Sequence, residues 1–325
     1  MKYKILLFLV FTTLLSAKYI NCDFKNENYT DVCKKVVKEG VSYRYANQFL
    51  LSYFKTQKFD EISWTYLQPS KIEHHRIQER KANNVLASYV PKMVANLKKY
   101  KDVYTEAELK YGVNREIIAA ILLKETKLGK IHPTHDAFIV FNTMVVRTKA
   151  KTAREKWLLR MGKSNMVAII KHCYKEGVRP SKCHLPSSYA GAVGIPQFMP
   201  SSFVYAKSYK GKVADLTKME DAILSVANFL HKKAKFDMLI DWDSMPDIPA
   251  IEQEWYEYAF TNKESSFVYV TGKNGKLFHC YTKDKPELQT LKEYAKKIMR
   301  YNNSSNYSVG VMSLAYQAHQ QLKAK

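Results

Sequence analysis

Ser188-Tyr-Ala-Gly-Ala-Val-Gly-Ile-Pro-Gln-Phe-Met-Pro200 is a run of small residues that closes on proline. Glycine admits positive φ and lets another chain or a ligand approach the backbone closely. Any one of these glycines reads as a tight interhelical turn. The whole run, with Gly191, Gly194 and the neighbouring alanines, reads as a place where a ligand or another helix uses that room. Gln197 follows on a loop, and Met199-Pro200-Ser201 is expected to start a further helix with Pro200 or Ser201 near its cap.

Upstream, the pattern predicts a central helix over Arg115 to Leu128. Asn114 is a good N-cap, Glu116 falls in the first turn where negative charge suits the helix dipole, and Gly129 and Pro133 mark the end. Val113, Ile117, Ile121, Glu125 and Leu128 recur at spacings of four and three, which puts Glu125 on the apolar stripe. A carboxylate desolvated beside Ile118, Ile121 and Leu122 has its charged form disfavoured, so its pKa rises toward the range of a general acid. The helix alone favours the plainer reading, a rim position paired with Lys124 or Lys127, because buried glutamate is rare without a partner or a purpose.

The remainder is mainly helical. Val32, Val36, Val37 and Val41 give a helical pattern within 28–53, and a polar, less periodic connection with Pro69 fills 55–80. Helices are predicted over 82–98, 102–111, 157–174, 220–232, 286–299 and 309–322, with Pro286 at a first helical position. The period changes to two between Phe260 and Thr282. Phe267–Val270 and Leu277–Tyr281 flank an Asn274-Gly275 turn and predict a β-hairpin, the one clear β element.

The amino terminus reads as a secretory signal: Lys2 and Lys4, thirteen largely apolar residues from Ile5 to Ala17, then cleavage near Ser16-Ala17. A membrane-spanning helix needs about 20 such residues. Cys22 lies just beyond the apolar run as a candidate lipid anchor, but Tyr19-Ile20-Asn21 lacks the small residues that precede a lipidated cysteine. The expected location is therefore outside the cytoplasm. With 52 Lys and Arg against 30 Asp and Glu, the chain carries a net charge of +22 spread along its length, a field that favours anionic partners. For an exported chain these are anionic wall polymer or a membrane surface rather than nucleic acid. A lysine-rich proteome would give the same charge.

Cysteines 22, 33, 173, 183 and 280 show no zinc spacing. Cys173 with Cys183 is one candidate disulfide and Cys33 with Cys280 a weaker one, with an odd thiol left over.

Five blocks stand in order: Tyr111-Gly-Val-Asn-Arg-Glu-Ile-Ile118, Glu125-Thr-Lys-Leu-Gly129, Ser188 to Ser202, Asp221-Ala-Ile-Leu-Ser-Val-Ala-Asn-Phe229 and Arg300-Tyr-Asn-Asn-Ser-Ser-Asn-Tyr307. Over about residues 80–315 the chain resembles the membrane-bound lytic murein transglycosylase B family. The resemblance implies a lysozyme-like helical core, so the expected fold is mainly α with the hairpin as a small insertion near residues 265–282. With the readings above, the chain is expected to divide into a signal peptide (1–17, or to 22), an accessory segment (18–80) and a catalytic domain (81–325).

The resemblance also implies an activity. Such an enzyme cuts the β-1,4 bond between N-acetylmuramic acid and N-acetylglucosamine in peptidoglycan and leaves a 1,6-anhydromuramyl end. It makes Glu125 the single acid and then base, reversing the rim reading, and the matching motifs hold no second acidic residue. Ser188 would position the substrate acetamido group or Glu125. Gln197 would line the glycan groove, Tyr301 and Asn302 would approach the reacting sugar, and Tyr307 would supply a hydroxyl or an aromatic wall.

No cofactor is implied. The family can carry an acidic calcium loop before Asp221, but Lys207, Lys210 and Lys212 stand there with Asp215 as the one acid, so no metal is expected. Two alternatives remain at this point: a hydrolytic muramidase with the same groove, and a non-catalytic wall-binding protein on the same fold. The sequence names no protein partner.

Overall fold

The central helix runs from Arg115 to Thr126, and every residue from Glu116 to Leu123 is buried. A helix enclosed all round belongs inside a shell of other helices, whereas a single apolar stripe marks a surface helix. The expected stripe was therefore only part of the buried surface, since Ile118, Leu122 and Leu123 are enclosed as fully as Ile117 and Ile121. Asn114 precedes the first turn, but its side chain grips the backbone of Ile240, donating through Nδ2 at 3.0 Å and accepting through Oδ1 at 2.8 Å. The Arg115 amide goes instead to Glu108, at 3.1 Å. The helix ends where Lys127 and Leu128 turn left-handed, at φ 50° and 60°, ahead of Gly129 at 80°.

The structure is a computed structural model that describes residues 22–56, 58–245, 247–249 and 293–324. The expected signal peptide and β-hairpin lie outside the described residues. The helices within them are α1 (Glu27–Lys38), α2 (Tyr43–Thr56), α3 (Glu61–Tyr66), α4 (Ile72–Ala87), α5 (Val90–Lys99), α6 (Lys101–Tyr111), α7 (Arg115–Thr126), α8 (Ala137–Arg147), α9 (Ala153–Lys175), α10 (Met219–Ala234) and α11 (Ser305–Lys323). Residues 293–298 are also helical.

Boundaries differ from expectation in several places, and α8 was not expected at all. The helix predicted over 82–98 is two, α4 and α5, because Pro91 occupies the first turn of α5 and is tolerated in a helix only there. The stretch 55–80, expected as a connection, holds α3 and the start of α4. The inward face of α4 carries Glu79, Asn83 and Leu86, too polar to register as an apolar period. Pro200–Tyr205 forms a short 3-10 turn rather than the start of a longer helix.

By contacts the chain divides into two units, one of residues up to Tyr66, Thr134–Ala192 and Met199–Phe203, the other of Leu67–Pro133, Val193–Phe198 and Val204 onward. By this division the amino-terminal helices share a unit with α8 and α9. In the first unit α9 packs on α8, α1 and α2. Its β1 (His135–Asp136) and β2 (Pro186–Ser187) pair antiparallel, with His135 opposite Ser187, a strand pair too short to leave a periodic signal.

Two disulfides close this unit, Cys22–Cys33 with Cα atoms 5.5 Å apart and Cys173–Cys183 at 6.0 Å. The second is the expected candidate. The first replaces the Cys33–Cys280 pairing and occupies the Cys22 sulfur that a lipid anchor would need; Cys280 lies outside the described residues.

In the second unit α11 packs on α7, α4 and α5, and α10 packs on α6 and α7. Gly194, at φ 75°, shows the close approach expected of the small-residue run: a Cβ there would stand 2.6 Å from the carbonyl oxygen of Leu216. Replacing Gly194 by alanine adds this clash to the strain of a left-handed backbone, and is expected to cost roughly 3 kcal/mol in urea denaturation. Gly40→Ala, at φ 95° with nothing within 4 Å of a built Cβ, should cost only the strain, about 1 kcal/mol. Equal losses would show that Leu216 yields.

Candidate active site

Glu125 sits in the last turn of α7, half-buried, and the Tyr307 hydroxyl donates to its Oε1 at 2.6 Å. Burial pushes the carboxyl up from its ordinary 4.5 to about 7. The Tyr307 hydrogen bond and the Lys124 charge pull it down, while the charge of Glu79 adds to the rise. Beside it, Lys124 directs its ammonium to Asn83 Oδ1, and that of Lys127 lies 5.1 Å over the Tyr89 ring.

Tyr307 owes its position to the start of α11. Ser304 caps that helix, its hydroxyl oxygen accepting from the Tyr307 amide at 3.2 Å. Tyr301, just before the cap, donates its hydroxyl to the Pro196 carbonyl. Its ring lies parallel to Tyr307, with centroids 6.4 Å apart, and edge-on to Phe229 at 4.9 Å. Burial, with the charge of Glu125 next, holds both phenols well above their ordinary value. Both therefore stay protonated and act as hydrogen-bond donors.

The tight loop of the small-residue run meets the same elements. Val193 and Phe198 exchange backbone hydrogen bonds of 2.8 and 3.0 Å, and the turn between them closes through Gln197, left-handed at φ 49°, whose side-chain amide donates to the Gly194 carbonyl at 2.8 Å. Thr126, next to Glu125, donates its hydroxyl to the Ile195 carbonyl at 3.0 Å. Glu125, the Gln197 turn, Tyr301 and Tyr307 are thus assembled within the second unit.

Two expected site residues stand differently. Asn302 lies on an exposed turn, its carbonyl accepting from Ser304 at 2.7 Å. Ser188 belongs to the first unit, where its hydroxyl accepts from the Ala192 amide at 3.2 Å and closes the turn around Gly191.

Sequence reasoning missed a polar group on the far side of Glu125. Glu79 accepts from the Ser304 hydroxyl, and burial raises its carboxyl while Lys124 and Ser304 lower it. Asn83, one turn on, donates to the Asn306 carbonyl at 2.9 Å. The one signal available was the i, i+4 spacing of Glu79 and Asn83 ahead of the first family block.

The stretch before Asp221 does not suit calcium. Both carboxylate oxygens of Asp221 accept backbone amides, from Tyr209 at 2.8 Å and Asp215 at 2.7 Å, and three lysines share the loop. Among the described residues no cluster of three His, Cys, Asp or Glu is placed to hold a metal ion.

Residues 25–316 match the family model described as the Transglycosylase SLT domain. The chain belongs to that family. It is accordingly an enzyme acting on peptidoglycan, with the mainly α, lysozyme-like fold of lytic transglycosylases. A comparison with curated proteins found no match.

Among solved structures, the soluble lytic transglycosylase SltB1 from Pseudomonas aeruginosa is similar at 18% identity and a TM-score of 0.55, covering 90% of this chain and 99% of that one. Escherichia coli lytic transglycosylase Slt35, in complex with calcium, is similar at 20% and 0.54, over 93% and 95%. SltB3 from Pseudomonas aeruginosa, in complex with NAG-anhNAM-pentapeptide, is similar at 17% and 0.52, over 88% and 77%.

A carboxyl raised on folding makes stability depend on pH. Between about pH 4.5 and 7 the unfolded chain has lost the Glu125 proton that the folded chain keeps, so stability falls as pH rises through that window and stays lower above it. Glu125→Gln escapes this loss. It is expected to exceed the natural chain by on the order of 2 kcal/mol near pH 8 and by little near pH 4. Urea denaturation at both pH values measures the difference; one that does not change with pH would place the carboxyl at its ordinary value.

Proposed function

We propose that the chain is a peptidoglycan lytic transglycosylase in which Glu125 serves first as acid and then as base. The observation that carries this reading is a carboxyl held near neutral pH by burial and oriented by Tyr307, in a member of the transglycosylase family. A general acid works best when its pKa lies near the working pH, because it is then both protonated and able to give the proton up.

In the first step Glu125 passes its proton to the oxygen of the MurNAc-β-1,4-GlcNAc bond. The C1–O bond breaks, and the GlcNAc side leaves as a C4 alcohol. The muramyl acetamido group supports the positive charge at C1. In the second step the muramyl C6 oxygen bonds to C1 and gives its proton to the Glu125 carboxylate. The acid is restored, no water is consumed, and a 1,6-anhydro end remains. One carboxylate suffices where most glycosidases use two, because the substrate supplies its own nucleophile.

Tyr307 keeps one carboxyl oxygen occupied and leaves the other to carry the proton. The Gln197 turn and Tyr301 form the adjoining wall of the groove. Ser188, with its hydroxyl already turned to the Ala192 amide, and Asn302, on its exposed turn, are proposed to meet the sugar substituents. SltB3 is similar in fold and is found in complex with NAG-anhNAM-pentapeptide and with NAG-NAM-pentapeptide, which supports a glycan strand as substrate. We place the activity outside the cytoplasm. The Cys22–Cys33 and Cys173–Cys183 disulfides support this, since such bonds persist in oxidising compartments. The basic charge suits anionic wall polymer, and contact with a membrane surface belongs to the same proposal.

Digestion of purified peptidoglycan, with released muropeptides resolved by mass spectrometry, tests the reading. Anhydromuramyl ends, lighter than hydrolysed ends by one water, are expected, with a loss of about a thousandfold in Glu125→Gln. Reducing ends would make the enzyme a muramidase, and no release would leave a wall-binding protein.

A further inference from the structure

α4 reaches both elements that place the Glu125 carboxyl. Toward α11, Glu79 accepts the Ser304 hydroxyl hydrogen, which turns the Ser304 oxygen toward the Tyr307 amide; Tyr307 in turn donates to Glu125. One turn along, Asn83 donates to the Asn306 carbonyl in the same first turn of α11. Toward α7, Asn83 accepts from the ammonium of Lys124, the residue before Glu125, which also lies 5.1 Å over the Tyr307 ring. Gly310 marks how closely α11 is drawn in, since a Cβ there would overlap the Asn83 side chain.

We propose that Glu79 is a positioning residue for Glu125, a second carboxylate that never touches substrate but fixes the cap beneath Tyr307 and sets its charge against that of Lys124. This rests on the reading of Glu125 as the acid and goes beyond it, since Glu79 lies outside every motif of the family resemblance. The charged and titratable groups facing Glu125 are Tyr307 on α11, Tyr301 before it, Lys124 on α7 and Glu79 on α4. Lys124 favours the ionised form of Glu125, and Glu79 opposes it. Removing one without the other should therefore move the Glu125 titration in opposite directions.

Glu79→Gln keeps an acceptor for Ser304 and removes only the charge. The Glu125 carboxyl carbon, labelled with 13C and assigned by its loss in Glu125→Gln, should titrate lower in Glu79→Gln by roughly half a unit or more, and higher in Lys124→Met. The alkaline limb of kcat/KM for peptidoglycan should follow the same two shifts. A Glu125 midpoint unmoved in Glu79→Gln would overturn the proposal, even if activity fell, because a purely structural support would lower the rate without moving the titration. The labelled-carbon measurement decides this without reference to activity. If the natural enzyme released no muropeptides, the reading of Glu125 as the acid would fail separately.

Discussion

The Tyr307 to Glu125 hydrogen bond is the contact around which the candidate site is arranged. A carboxyl drawn partly out of water keeps its proton to higher pH, but a buried polar group without a partner costs free energy. One phenol oxygen resolves the conflict by donating to the carboxyl without carrying charge itself. That solution requires the last turn of α7 to face the first turn of α11 at hydrogen-bond distance, and much of the local sequence can be read as meeting that demand. Ser304 fixes where α11 begins, Tyr301 packs parallel to Tyr307, and Thr126 ties the end of α7 to the Ile195 loop. The left-handed residues Lys127 and Leu128 end the helix immediately beyond, so the carboxyl stands at a terminus rather than mid-helix.

Within the second unit, the Val193–Phe198 part of the small-residue run serves the same end. Gly194 is glycine because the Leu216 backbone passes where a Cβ would stand, and Gly191 because the Phe141 ring does. Each close approach lies within a single unit. Gln197, held left-handed, uses its side chain to close its own turn. A glutamine so engaged presents a shaped loop to a ligand, and the groove reading of this residue is best understood as a role of that loop.

What the sequence disclosed follows physical lines. α7, α10 and α11 were legible because long helices with apolar residues leave a strong period. Glu125 stood out because it broke such a period, and the glycine run because no other residue does its work. The first turns of α4 were not legible: the helix faces its neighbours with Glu79 and Asn83, and packing through polar groups leaves no hydrophobic signature. The Cys22–Cys33 bridge was missed because sequence spacing leaves several pairings open. Asn114 looked like a cap and occupies the cap position, yet its side chain serves Ile240, a partner over a hundred positions away that no local rule can see. The Glu125 pairing itself was half visible: the helix pointed to burial or a neighbouring lysine, while the actual partner comes from the last helix.

In the proposed mechanism one carboxyl must give a proton in the first step and take one in the second. A pKa far above the working pH would make it a reluctant acid, and one far below would leave it ionised before the substrate arrives. Burial alone drives the value upward without limit set by function, so something must oppose it. Tyr307 and Lys124 do so, and Glu79 restrains Lys124 in turn. A value of about 7 then reads as a balance struck by named groups on three helices. Because Lys124 and Glu79 are ionisable groups of opposite sign, the balance is adjustable by single substitutions.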